Sequence, residues 1–410
     1  VTTTPDLPRG FDPTDPSLNQ ERVPLKEFME LRQTAPVFWV EQPEESRAGM
    51  EGGTGYWALS KHEDVSAASR SKEFVTSENT AIIRFAPEMT RDQLEMQRVM
   101  LLNQDPPVHT ATRHIISRGF TPRSIAAQRD SLAAYSEAIV KAALAKGTGD
   151  FVEEVAAELP LQTIAELLGV PHEDRKKLFE WSNQMMSYDD PEYDVDPETA
   201  SIEILGYFMA LAEERKADPR DDIVTKLVTA GEDGEGLTSD EFGYFTILLA
   251  VAGNETTRNA ITHGMNAFFD NPDQWELFKR ERPASAVDEI IRWATPVTSF
   301  QRTATEDTTL GGVDIKKGQR VGLFYASANH DSDVFENPDE FNILRDPNPH
   351  LSFGGHGAHY CIGANLARLE VELMFNAIAD HMPDITKVAE PRRLRHGWIN
   401  GIKELQVKYS

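Results

Sequence analysis

A single cysteine, Cys361, occurs in 410 residues, so the chain can form no internal disulfide and a reducing compartment is the expectation. Basic residues are scarce. The 41 Lys and Arg stand against 67 Asp and Glu, and the net charge of -26 excludes a general nucleic-acid binder. Long apolar runs are missing too: the most apolar stretch, around Phe245 to Ala252, is too short to span a bilayer. The first residues, Val1-Thr2-Thr3-Thr4-Pro5-Asp6-Leu7-Pro8, lack the basic start and apolar core of a signal peptide. There is no internal repeat, no linker dividing the chain into halves, and no low-complexity segment apart from the turn Gly231 to Gly236. These absences predict one cytoplasmic domain without a membrane anchor.

What the chain does hold is concentrated in His350-Leu351-Ser352-Phe353-Gly354-Gly355-His356-Gly357-Ala358-His359-Tyr360-Cys361-Ile362-Gly363, where the lone cysteine sits in a glycine-rich loop with three histidines and two aromatics. Leu366, Leu369 and Leu373 share one face of a helix starting near Ala364, which puts Cys361 at or just before a helix N-terminus. Backbone N–H groups and the positive end of the helix dipole favour a thiolate there. A thiolate is a nucleophile or a metal ligand. The glycines allow the backbone to approach a large flat object, which fits ligation. On these residues alone a buried core cysteine stays equally open.

Taken in order, residues 1–24 read as an irregular arm, followed by a helix through Leu25–Leu31. Strand-like runs at 36–40 and 55–59 are joined by a hairpin loop, and Ser60-Lys61-His62-Glu63 has the capping-box pattern of a short helix. Residues 75–106 follow no single period and carry Ile82, Phe85, Leu94 and Met100 among charges, a composition that suits a lid over an apolar site. A helix from Val108 places His109 and Arg113 four apart on one face, where they could hold a carboxylate pair. Residues 126–231 are helical by period, with breaks at 147–149, 169–171 and the acidic loop 189–197. Thr238-Ser239-Asp240-Glu241 is a second capping box, opening a helix to about Phe269 that at ~1.5 Å per residue crosses the whole molecule. Gly253-Asn254 in its middle predicts a local distortion beside Glu255 and Thr256. Glu289 and Arg292 are paired three apart on a further helix, and strand-like runs follow at 298–303, 309–315 and 320–324. The fold class expected is mainly α with a minor β part, a long central helix, a helical portion over about 60–297, and a β-rich portion from 36–59 and 298–410.

Ala252-Gly253-Asn254-Glu255-Thr256, Glu289-x-x-Arg292 and Phe353 with His359-Tyr360-Cys361-Ile362-Gly363, in that order, resemble the three signatures of the cytochromes P450, and the resemblance covers essentially the full chain. It implies the cytochrome P450 fold, with the long helix over haem b, and Cys361 as the iron's axial thiolate. It implies that Ala252, Gly253, Glu255 and Thr256 form the groove where O2 is activated, and that Glu289, Arg292 and Arg345 form a buried network behind the loop. His109, Arg113, Arg302 and His359 match positions that hold the haem propionates. Phe353 matches the aromatic that packs by the sulfur, although it lies eight residues before Cys361 where the family usually has seven.

Asn79 to Phe85, Ala250 to Asn259, Ala294 to Thr298, Gly357 to Arg368 and Gly397 to Lys403 are similar to the actinobacterial steroid C26-monooxygenases. That resemblance implies oxidation of the terminal side-chain methyl of cholesterol or cholest-4-en-3-one, on towards the acid, with electrons from NAD(P)H through a ferredoxin and its reductase. Ile82, Phe85, Val251, Val297 and Trp398 are the candidate walls of the substrate channel. Arg113, His114, Arg118 and Arg123 form a basic cluster that could help dock the electron donor, and the enzyme is expected to be a monomer. Competing readings are a hydroxylase of methyl-branched fatty acids or isoprenoid lipids, a haem-based ligand-binding or sensor module, and a cysteine hydrolase without haem. A sensor would keep Cys361 without needing Glu255 and Thr256, and the hydrolase lacks an evident base with its orienting partner.

Overall fold

Thr238 opens the longest helix, Ser239–Asp270, with a complete capping box in which its side chain accepts from the Glu241 N–H and Glu241 accepts from the Thr238 N–H. In the computed structural model, which describes residues 5–194, 196–229 and 236–409, this 32-residue helix is the central beam. The turn from Gly231 lies outside the described residues except for Gly236. The helix passes Gly253-Asn254 without a break, contrary to the distortion expected there, and the Thr256 hydroxyl simply donates to the Ala252 carbonyl one turn back. Tertiary packing supplies what the glycine costs: helices Glu158–Leu167, Pro197–Ala217, Ser285–Ala294 and Ala364–His381 all lie against the beam. The main core forms between them, around Phe208, Phe242, Ile261, Met265, Phe268 and Phe375.

A five-stranded sheet is assembled from distant parts of the chain, in the order Val37–Glu41, Gly55–Leu59, Arg320–Phe324, Ser299–Ala304 and Phe74–Val75. The first two strands form the expected hairpin, with Val37 opposite Leu59, and the second runs parallel to Arg320–Phe324. A second sheet joins Thr148–Asp150, Gln406–Lys408 and Thr386–Lys387. Phe74–Val75 and Thr148–Asp150 therefore put short strands inside the portion read as helical, and the 18-residue helix Ala364–His381 lies inside the portion read as β-rich. Strands of two or three residues owe their existence to a pairing partner, and no local alternation announces them.

The capping box at Ser60 is not formed. Helix His62–Arg70 has no side-chain cap, because the Ser60 hydroxyl donates to the Pro36 carbonyl at 3.0 Å and the His62 N–H is taken by Asp331 at 2.9 Å. Segment 76–105 holds one short helix, Arg91–Met96, and two tight turns, Gln97–Val99 and Leu101–Asn103. Among the described residues no helix is long and apolar enough to cross a membrane.

Candidate active site

The cysteine loop leads into helix Ala364–His381, and Cys361 stands two residues before its N-cap, Gly363. The loop is closed by the Cys361 N–H donating to the Phe353 carbonyl at 2.9 Å. Gly354 and His356 take positive φ values of 97° and 64°, so the loop that is one residue longer than usual keeps Phe353 beside Cys361. Phe353 also packs under the Arg368 guanidinium, 4.6 Å from the ring centre. Gly354, Gly355, Gly357 and Gly363 line the cavity, and two of them make a further close approach on the other side. A Cβ on Gly357 would fall 1.8 Å from the Ser69 carbonyl oxygen, and one on Gly355 2.3 Å from the Ser69 hydroxyl, so both serve to seat the loop on helix His62–Arg70.

The Cys361 sulfur is enclosed by protein and exposed into a cavity lined by residues of the loop, the central helix, and the strand and turn around Val297 to Arg302. Burial pushes its thiol above the ordinary value, outweighing the Gly363 N–H, Arg113 and Arg368, which all favour the thiolate. The helix-end effect expected from sequence is thus present but outweighed, and a bound metal is what would deprotonate the sulfur.

His109, Arg113, Arg302 and His359 meet on one side of this cavity. The two imidazoles lie 4.4 Å apart between ring centres, and Arg113 donates to the Tyr360 carbonyl at 2.7 Å. Burial, then His359 and Arg113, lower His109 to about 4. Burial likewise holds His359 and the Arg302 guanidinium below their ordinary values. The haem implied by the sequence needs a thiolate and donors for two carboxylates, and these residues fit it. His109 Nε2 is buried without a hydrogen-bond partner. Arg302, 4% exposed, donates only to the Gln301 carbonyl among the described residues, and neither arginine has a carboxylate within ion-pair distance there. A buried cation without a counter-charge, as Arg302 is, costs several kcal/mol, so a carboxylate arriving here would be stabilising.

Across the cavity from Cys361 the central helix presents Phe245, Leu248, Leu249, Ala252, Gly253 and Thr256. Glu255 does not line the cavity. It is fully buried against Arg258 and accepts from Asn259, and burial raises its carboxyl despite the arginine. Of the five candidate wall residues only Val297 reaches the cavity. Ile82 and Phe85 belong instead to a separate cluster with Ala48, Met50 and Leu94, against which Trp398 packs; Val251 is half-buried on another face of its helix. Phe300 touches both the cluster and the cavity.

Behind the loop, Arg292 grips both Glu289 oxygens at 2.8 and 2.9 Å, Arg345 adds a third contact at 3.1 Å, and both Glu289 and Arg292 are fully buried. Arg292 also donates to the carbonyls of Asn329, Pro338 and Glu340, which lead towards the loop. Of the basic cluster, Arg113 is spent on the cavity, while His114 and Arg123 are exposed. Sequence reasoning missed Asp105, which sits beside His359, and Glu370, a cavity-lining carboxyl that burial raises to about 8.

Four similarities bear on this arrangement. The Cytochrome P450 family profile matches residues 284–381. The "Steroid C26-monooxygenase" of Rhodococcus jostii is 63% identical over 99% of this chain and 86% of its own length, and the "Methyl-branched lipid omega-hydroxylase" of Mycobacterium tuberculosis is 41% identical over 93% and 90%. A cytochrome P450 of Mycobacterium marinum, solved in complex with pseudoionone, superposes with a TM-score of 0.88 at 34% identity, covering 95% of this chain and 96% of that one. With a thiol and a long helix lining one apolar cavity, two arginines without a carboxylate partner and a partnerless buried His109 Nε2 beside it, and such identity over nearly its whole length, this chain belongs to the cytochrome P450 family.

Proposed function

We propose that this haem-thiolate monooxygenase hydroxylates the terminal side-chain methyl, C26 or C27, of cholesterol or cholest-4-en-3-one in sterol catabolism, and can carry it on towards the carboxylic acid. The observation that carries the substrate is the 63% identity to a steroid C26-monooxygenase over 99% of the chain. The apolar cavity suits such a substrate, because selection of an unactivated methyl has to come from positioning. The chain reads as one haem domain over 1–410. Electrons come from NAD(P)H through a ferredoxin and its reductase in the cytoplasm, and the enzyme works as a monomer.

Haem held through Cys361 Sγ would supply the iron at which O2 is activated, and a thiolate ligand would make that iron electron-rich. His109, Arg113, Arg302 and His359 bind its carboxylates, and Phe353 shields the sulfur. The network of Glu289, Arg292 and Arg345 holds the loop's backing rigid. Phe245, Leu248, Leu249, Val297 and Phe300 exclude water and orient the methyl. Thr256 Oγ1, at the cavity wall, gives its proton to the Ala252 carbonyl, so relaying a proton into the groove beside Ala252 and Gly253 requires the hydroxyl to turn away from that carbonyl and to take up a replacement proton. Glu255 must leave Arg258 before it can exchange a proton with that groove, so its part in the relay requires a rotamer change.

Titrating cholest-4-en-3-one into the oxidised, haem-loaded protein should convert the Soret band from low to high spin. A methyl-branched fatty acid producing that shift while the steroid stays silent would move the reading to the branched-lipid class, which the 41% identical relative supports.

A further inference from the structure

Segment 76–105 is held to the sheet along 79–82, where Gln301 donates to the carbonyls of Asn79, Ala81 and Ile82 and Asn79 donates to the Thr303 hydroxyl, and its two ends are tied to each other through one side chain. The Asp105 carboxylate accepts the backbone N–H of Thr76 at 2.9 and 3.0 Å, the N–H of Ser77 at 2.7 Å and the Thr76 hydroxyl at 3.1 Å. A second rung follows inside the first, where Asn103 Oδ1 accepts the Ala81 N–H at 2.9 Å. Beyond this neck the chain forms a lobe whose Leu101 and Leu102 line the cavity. The neck also touches the carboxylate-binding side, since Thr76 Oγ1 lies 3.0 Å from His359 Nε2. Thr76 has one hydroxyl proton, and when it gives that proton to Asp105, His359 Nε2 is the donor in this contact. Asp105 itself faces that nitrogen at 3.9 Å. Burial opposes its charge, but His359 and the Ser77 and Thr76 N–H groups outweigh it and hold the carboxyl far below its ordinary value.

We propose that Asp105 is a positioning residue that clasps the neck of the 76–105 lobe to the imidazole of His359, so that one hydrogen-bond chain sets both the lobe over the substrate cavity and the donor beneath it. The proposal rests on reading His359 as a partner of the haem carboxylates. An asparagine at 105 keeps one acceptor oxygen but turns N–H groups towards the N–H donors of Thr76 and Ser77, and it removes the charge behind His359.

The test is amide hydrogen exchange and redox titration of the haem-loaded protein. In Asp105→Asn, exchange within 78–104 should rise at least about tenfold, the weight of one lost hydrogen bond to a charged group, while exchange elsewhere stays at the parent level. The reduction potential should move positive, and KM for a long apolar substrate should rise more than kcat falls. Thr76→Val keeps the backbone bonds to Asp105 but cuts both the link to His359 and the hydroxyl bond to Asp105, so it should shift the potential while loosening the lobe less than Asp105→Asn does, and Asp105→Glu should restore part of the exchange protection. Unchanged exchange in 78–104, or a rise spread evenly over the chain, overturns the clasp. A loosened lobe with an unmoved potential in both variants overturns the coupling. If His359→Ala moves neither the potential nor haem retention, the carboxylate-partner reading fails instead, and the exchange result still decides the clasp.

Discussion

Glu370 should make this protein lose stability as the pH rises through neutrality. It lies on the apolar face of helix Ala364–His381, is 3% exposed, and leaves Oε1 without a partner. Burial raises its carboxyl to about 8 from 4.5, against the pull of the Thr163 and Thr257 hydroxyls. The folded protein therefore keeps a proton that the unfolded chain has already released. Stability is full below the unfolded value, and between the two values the folded state binds one proton more, so stability falls by about 1.4 kcal/mol per pH unit until the folded value is reached. Glutamine has nearly the same shape and no proton to lose. The advantage of Glu370→Gln over the parent should grow by about 1.4 kcal/mol per unit, or about 4 kcal/mol from pH 5 to 8. Histidines such as His109, lowered to about 4 by burial, titrate in both proteins and cancel in the difference. Urea unfolding of both proteins at equal haem occupancy and at about pH 5.5, 6.5 and 7.5 measures it. Parallel curves would mean that Glu370 is already ionised in the folded state, and the reasoning from its burial would be wrong.

The parts of the fold that could be read from sequence are those whose signals are local. Thr238 with Glu241 opens the central helix as its pattern demands, and the leucines after Cys361 sustain the helix behind the loop. The same four-residue pattern failed at Ser60, because Asp331 reaches the exposed N–H first, and no window of sequence contains that competitor. In the site, motif order pointed to Cys361, Thr256, His109, Arg113, Arg302 and His359, and all six line the cavity. Of the five wall candidates Val297 alone lines the cavity, because apolar character specifies burial without specifying which cavity. A helical signal was nonetheless there: Phe245, Leu249, Ala252 and Thr256 recur at steps of four, three and four, one stripe of the beam, and Val251 lies off it. Glu370 had the same kind of signal, standing four residues after Leu366 on an apolar face where a carboxylate is out of place. Asp105 had none, since its bonds to Thr76 and Ser77 cross a whole lobe and its neighbour His359 is farther still along the chain.

Arg292→Lys should cost about 3–5 kcal/mol, because an ammonium cannot reproduce the fork on Glu289 together with three carbonyl bonds, and it should show as faster loss of haem on transfer to apomyoglobin. Two glycine replacements separate close approach from mere flexibility. Gly206 is exposed in the middle of helix Pro197–Ala217, and a Cβ there meets nothing within 4 Å, so Gly206→Ala should stabilise by about 0.5–1 kcal/mol. Gly357 has an ordinary backbone conformation as well, yet its Cβ would lie 1.8 Å from the Ser69 carbonyl oxygen and 2.8 Å from the carbon. Backbone atoms cannot swing aside as a side-chain tip can, so Gly357→Ala must lift the cysteine loop off helix His62–Arg70. The thiolate sits four residues further on, and it should move with the loop: the reduced carbon monoxide complex should lose its strongly red-shifted Soret band while the helical circular dichroism is kept. A parent-like band in Gly357→Ala would show that the loop can rise without carrying Cys361, and that its seat on Ser69 does not place the sulfur.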